Sequence, residues 1–112
     1  MSVFLRVTYT VRAQNLKTYK KALLEEVIPQ ALELGIQYVG AWKTVVGRVG
    51  EYMELWQFES MADFENRWPR LLEHPRIQQV FETTGPMVDD ETFELIEPVG
   101  TPASKGKETF RV

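Results

Sequence analysis

The stretch Glu51-Tyr52-Met53-Glu54-Leu55-Trp56-Gln57-Phe58-Glu59-Ser60 decides the fold. It is rich in aromatic and apolar residues and closes on a serine, so it reads as a strand running into a helix cap. Side chains alternate between the two faces of a strand. Met53, Leu55 and Gln57 fall on one face, and Tyr52, Glu54, Trp56 and Phe58 on the other. Neither is a plain solvated face. Such a strand sits centrally in its sheet and is covered on both sides. A two-layer fold covers only one.

On the N-terminal side, residues 36–46 alternate as a second strand, Ile36, Tyr38, Gly40, Trp42, Thr44 and Val46 against Gln37, Val39, Ala41, Lys43 and Val45. Gly47 and Gly50 bracket the turn between them, which makes a hairpin. On the C-terminal side, Ser60 with Asp63 forms a weak capping box, and Met61, Phe64, Trp68, Leu71 and Leu72 give the apolar stripe of a helix. Pro69 and Pro75 divide that helix into two or three pieces ending near Thr84. Gly85-Pro86 turns the chain into a last strand over 88–97, with Phe93, Leu95 and Ile96 as its apolar members. Residues 3–11 form the first strand, Val3, Leu5, Val7, Tyr9 and Val11 on one clean apolar face. Asn15 caps the helix that follows, marked by Leu16, Tyr19, Leu23, Val27, Ala31 and Leu34, kinked or divided at Pro29 and stopped by Gly35. From Pro98 the composition is that of a tail, with Phe110 its apolar anchor. One domain over 1–97 and a tail over 98–112 are expected.

The order β-α-β-β-α-β predicts an α+β, ferredoxin-like fold. Its four-stranded antiparallel sheet has order 4-1-3-2 and carries both helices on one face. Strands of about seven residues then leave an open face of roughly 440 Å², near the limit of what a monomer exposes. With Val3, Leu5 and Val7, Val39, Ala41 and Val45, and Met53 and Leu55 turned to the helices, the open face holds Arg6, Thr8, Thr10, Tyr38, Trp42, Thr44, Tyr52, Glu54, Trp56 and Phe58. Large aromatics beside one Arg and one Glu predict a cover that leaves a partly polar cavity, supplied by a second copy packed sheet to sheet. Centring the first and third strands sets Arg6 opposite Trp56 and Thr8 opposite Glu54, so that Arg6 and Glu54 form a diagonal ion pair.

The chain is 112 residues long, which is one domain, with 44% hydrophobic and 26% charged residues, values ordinary for a globular core. A net charge of −3 argues against nucleic acid as a partner. Without cysteine there is no disulfide or thiolate chemistry. No apolar run approaches the ~18 residues of a membrane span, and the first residues lack the pattern of a secretion signal. No membrane partner and a cytoplasmic location are the expectation.

Over residues 3 to 97 the chain resembles the NIPSNAP-type branch of the dimeric α/β-barrel superfamily. The resemblance is carried by Leu5-Arg6, Gly40-x-Trp42, Val46-Gly47, Leu55-Trp56-Gln57-Phe58-Glu59-Ser60 with Asp63, and Leu72-x-His74-Pro75. It implies a homodimer whose sheets form a shared barrel, and little about activity.

No catalytic constellation stands out. His74, the single histidine, precedes a helix-breaking proline and reads as a turn residue rather than a haem ligand. Asp89, Asp90 and Glu91 read as a solvated run rather than a cation site, and neither a metal nor a cofactor is expected. Ser60 has no base near it and reads as a cap. Arg6, Tyr38, Trp42, Tyr52, Glu54 and Trp56 are the ligand-lining candidates, and for the four aromatics the competing reading, which is favoured, is dimer core. Three functions stay open: a module binding a small apolar or aromatic molecule, a cofactor-independent enzyme of monooxygenase type acting on an electron-rich aromatic, which the superfamily resemblance implies as an alternative, or a structural or interaction protein. An enzyme needs an acid or base in the pocket, and Glu54 is the candidate.

Overall fold

The computed structural model describes residues 2–102 and 110–111. Strand β1 (Val3–Val11) alternates buried and half-buried along its whole length, as its sequence dictates. Helix α1 (Ala13–Ala22) runs through a π turn (Leu23–Val27) into α2 (Ile28–Glu33). Its start lies before Asn15, because Arg12 is the extended N-cap and makes no side-chain cap. Asn15 sits inside the first turn, its N–H on the Arg12 carbonyl at 2.9 Å. The π turn is the helix's answer to Pro29. That ring crowds the carbonyl four residues back, and the Ile28 N–H reaches the Leu23 carbonyl instead.

Gly35, at φ +80°, ends α2. Arg67 closes that end, its guanidinium donating to the Leu34 carbonyl at 2.6 Å while Asp63 holds it at 2.5 Å. Strands β2 (Gln37–Lys43) and β3 (Glu51–Phe58) form the hairpin, β2 ending three residues before the position read from its alternation. Helix α3 (Met61–Glu73) begins on Ser60, whose Oγ accepts the Asp63 N–H at 3.0 Å, while Asp63 accepts the Glu59 N–H at 2.9 Å. Pro69 does not end it. The proline and Glu65, the residue whose carbonyl it leaves without a helical donor, both lie on the exposed side. The break comes at His74, which is extended and caps α4 (Pro75–Thr84) by accepting the Arg76 N–H on Nδ1 at 3.1 Å. A 3₁₀ turn (Gly85–Met87) leads into β4 (Val88–Ile96).

The sheet is antiparallel with order β2-β3-β1-β4, which is 4-1-3-2 read from the other edge. The fold is therefore α+β and ferredoxin-like, as the element order predicts. Thr101–Pro102 (β5) pairs with Phe110–Arg111 (β6). Anchoring of the tail by the Phe110 side chain lies outside the described residues.

Register is where structure and sequence part. β1 pairs Leu5 with Trp56, Val7 with Glu54 and Tyr9 with Tyr52, one residue away from the centred register. A one-residue slip moves every side chain of a strand to the other face. Tyr52, Glu54, Trp56 and Phe58 thus join the helix-facing side with Leu5, Val7 and Tyr9, and Met53 and Leu55 turn to the open face. The physical reason is core volume. Trp56 and Phe58, each 1% exposed, fill the layer beneath α3 by packing on Trp68 and Phe64. A second shift, between Tyr38 and Gly40, lets Tyr38 share the helix side with Trp56 while Trp42 pairs with Met53 on the open side. Val39, at that shift, is exposed.

Candidate functional site

Between sheet and helices lies a cavity of about 310 Å³. Its buried floor is Val7, Glu54 and Trp56, with Leu23 and Val27 from the π turn above. Its exposed rim is Leu72, Phe81, Gly85, Glu91 and Phe93. The π turn contributes here because it places Leu23 and Val27 on the inner side of the helix.

Among the described residues Glu54 is the one charged side chain buried in the core, at 6% exposure. Its Oε2 accepts the hydroxyls of Tyr9 at 2.5 Å and Tyr19 at 3.3 Å, and its Oε1 accepts the Trp56 indole N–H at 3.1 Å. Burial raises its pKa above the ordinary carboxylate value, the three donors pull it back, and the charge of Glu91 adds to the rise. Glu91 is itself raised by partial burial. Burial and the Glu54 charge push the phenols of Tyr9 and Tyr19 far up, so both remain protonated donors. A carboxylate offers about four acceptor sites. Three are taken, and the remaining one belongs to Oε1.

A NIPSNAP family model matches residues 5–102. The chain belongs to the NIPSNAP family. A NIPSNAP family protein of Agrobacterium tumefaciens has the same fold, with a TM-score of 0.78 at 23% identity over 88% of this chain and 86% of that one. An uncharacterised NIPSNAP-like domain protein of Burkholderia xenovorans matches at TM-score 0.78 and 18% identity, over 88% of this chain and 85% of that one. A candidate antibiotic biosynthesis monooxygenase of Deinococcus radiodurans matches at TM-score 0.65 and 14% identity, over 86% of this chain and 91% of that one. No curated protein matches the chain.

In this NIPSNAP domain the six residues singled out from the sequence do not share one face. Glu54 and Trp56 line the cavity. Tyr38 and Tyr52 lie on the same side of the sheet, Tyr38 stacked at a tilt on Trp56 with 5.0 Å between ring centres and Tyr52 against Tyr9. Arg6 and Trp42 are on the open face, where Arg6 donates to Glu94 at 2.6 Å and Trp42 is 49% exposed. The expected Arg6–Glu54 pair does not form, because the register puts the two on opposite sides of the sheet.

The acidic run is divided as well: Asp89 meets Arg12 at 3.3 Å, Asp90 meets Arg48 at 2.5 Å, and Glu91 turns to the cavity. Asp90 makes the division by adopting φ +54°. Among the described residues no group of three or more His, Cys, Asp or Glu side chains is placed to hold a metal. No helix among them is long and apolar enough to cross a membrane. Sequence reading missed the partners of Glu54. The available signal was a tyrosine hydroxyl on each of two apolar stripes, Tyr9 on β1 and Tyr19 on α1, each needing a buried acceptor.

Proposed function

We propose that this NIPSNAP protein binds a small, largely apolar or aromatic molecule in the cavity between sheet and helices. The observation that carries the reading is the cavity itself: aliphatic and aromatic walls around one buried carboxyl with an unused acceptor site. Pockets that hold small organic molecules have this make-up, apolar over most of the surface with a few placed polar groups. Glu54 orients the ligand by accepting a hydrogen bond from it, and Trp56 and Trp68 contact its body.

The working form in this reading is a homodimer packed through the open sheet face. Phe4, Trp42, Met53, Leu55 and Ile96 give that face an apolar content that a second copy would bury, and Arg6–Glu94 sits among them. Two faces of roughly 440 Å² fall short of the ~1,200 Å² that a stable interface buries. The nearly fully exposed Val45, Val46 and Val49 at the hairpin tip would extend it.

Calorimetric titration with naphthol tests the binding reading. Saturable one-to-one binding per chain is expected, and heats no larger than dilution would end it. A second reading is favoured by the raised proton affinity of Glu54. In it the carboxylate takes the proton of an electron-rich phenol, and a fold neighbour carries the name of a candidate antibiotic biosynthesis monooxygenase. Oxygen uptake with a hydroquinone, lost in Glu54→Gln, would separate an enzyme from a binding module.

A further inference from the structure

The charge of the cavity carries the binding reading, on which this inference rests, to a class of ligand. Glu54 on the floor and Glu91 at the rim both line it, and no Lys, Arg or His is among the lining residues. Nor does either carboxyl have a cationic partner within 4.0 Å among the described residues. The arginines flanking it in sequence are engaged elsewhere, Arg6 with Glu94, Arg12 with Asp89 and Arg48 with Asp90. Two acids thus face one space with nothing among the described residues to balance them, while Trp56, Trp68, Phe81 and Phe93 turn aromatic surface toward the same space.

Aromatic faces attract cations and repel anions, and a buried carboxylate discriminates strongly against a second negative charge. An alkylammonium has only donors to offer. It matches the unused acceptor site on Oε1 of Glu54, whose other sites are filled by Tyr9, Tyr19 and Trp56. We propose that the cavity selects a protonated amine carried on an apolar or aromatic body, its head group between Glu54 and Glu91 and its body against Trp56, Trp68 and Phe81. The competing account holds that Glu54 is only a satisfied structural acid and Glu91 only a solvated one. It predicts no preference for charge.

The test is calorimetric titration of the full chain near neutral pH with three probes of one shape: naphthylethylamine, naphthylethanol and naphthylacetate. The amine is expected to bind about tenfold or more tighter than the alcohol, and the acid weakest of the three. Glu91→Gln should cut the amine's advantage over the alcohol severalfold. Glu91 is exposed, so this variant folds even where Glu54→Gln does not. Amine affinity should also rise with pH as Glu54 and Glu91 ionise, since the other titratable groups facing them, Tyr9, Tyr19 and Tyr38, all have raised pKa values and stay neutral. Equal affinity for amine and alcohol overturns the charge selection and leaves the binding reading standing. An amine advantage unchanged in Glu91→Gln removes Glu91 from the proposal and overturns its two-carboxyl form. Failure of all three probes to bind overturns both.

Discussion

The Trp56 indole N–H donates to Glu54 Oε1 at 3.1 Å, two residues along one face of the same strand. This contact joins the core to the cavity: Trp56 is among the most buried side chains, and it helps hold the carboxyl that faces the open space. Removing a donor leaves a buried acceptor short of a partner, which costs about 1–3 kcal/mol. Tyr9→Phe, which deletes the 2.5 Å donor on the other oxygen, should therefore destabilise by that amount in urea unfolding. The loss should shrink when Glu54 is already Leu, since no acceptor then remains. Additive effects in that double-mutant cycle would show that the Tyr9 hydroxyl does not hold the carboxyl.

Glu54 also sets a pH dependence. Its folded pKa is raised, so the native state holds this proton more firmly than the unfolded chain, whose value is near 4.5. The resulting stabilisation is complete below that value and is lost as pH rises through the folded pKa. Glu91, also raised, acts in the same direction more weakly because it is exposed and screened. At fixed protein concentration, stability relative to Glu54→Gln should fall as pH climbs from about 4 to 8. A difference that stays flat or grows over that range contradicts the raised pKa.

Neighbours on β3 should respond in opposite ways. Phe58→Ala empties a fully buried site against Phe64 and Trp68, and a loss of about 3–5 kcal/mol is expected. Leu55→Arg, on the open face opposite Arg6, should leave the fold of each chain intact and weaken self-association. Sedimentation equilibrium read beside circular dichroism distinguishes the two. A Leu55→Arg protein that unfolds instead would place that side chain in the core.

Gly85 offers a way to block the cavity. It lies at the rim in a right-handed helical conformation, and a side chain added there meets open space. Gly85→Phe should fold with stability changed by no more than about 1 kcal/mol, yet bind naphthol at least several-fold more weakly. Undiminished binding would show that the ligand enters elsewhere.

Much of this protein is determined by local sequence. The alternation of Val3 through Val11, the Ser60–Asp63 cap and the left-handed glycines at 35, 47 and 50 fix elements and turns through interactions within a few residues. With the order of elements, they fix the topology. The family was legible for the same reason, since the motif around Leu55 to Ser60 is the strand, cap and core of the sheet's centre.

The face of β3 was decided only by the tertiary structure. Both of its faces are semi-apolar, so alternation divides its residues into two sets without saying which set meets the helices. The choice follows from the volume beneath α3, which Trp56 and Phe58 fill against Trp68 and Phe64, and from the one-residue register that this packing imposes. That slip carries Glu54 away from Arg6 and to the hydroxyls of Tyr9 and Tyr19. The site could not be read from the chain because its parts come from β1, α1, the π turn, β3, α3, α4 and β4, and only packing decides which of their faces meet.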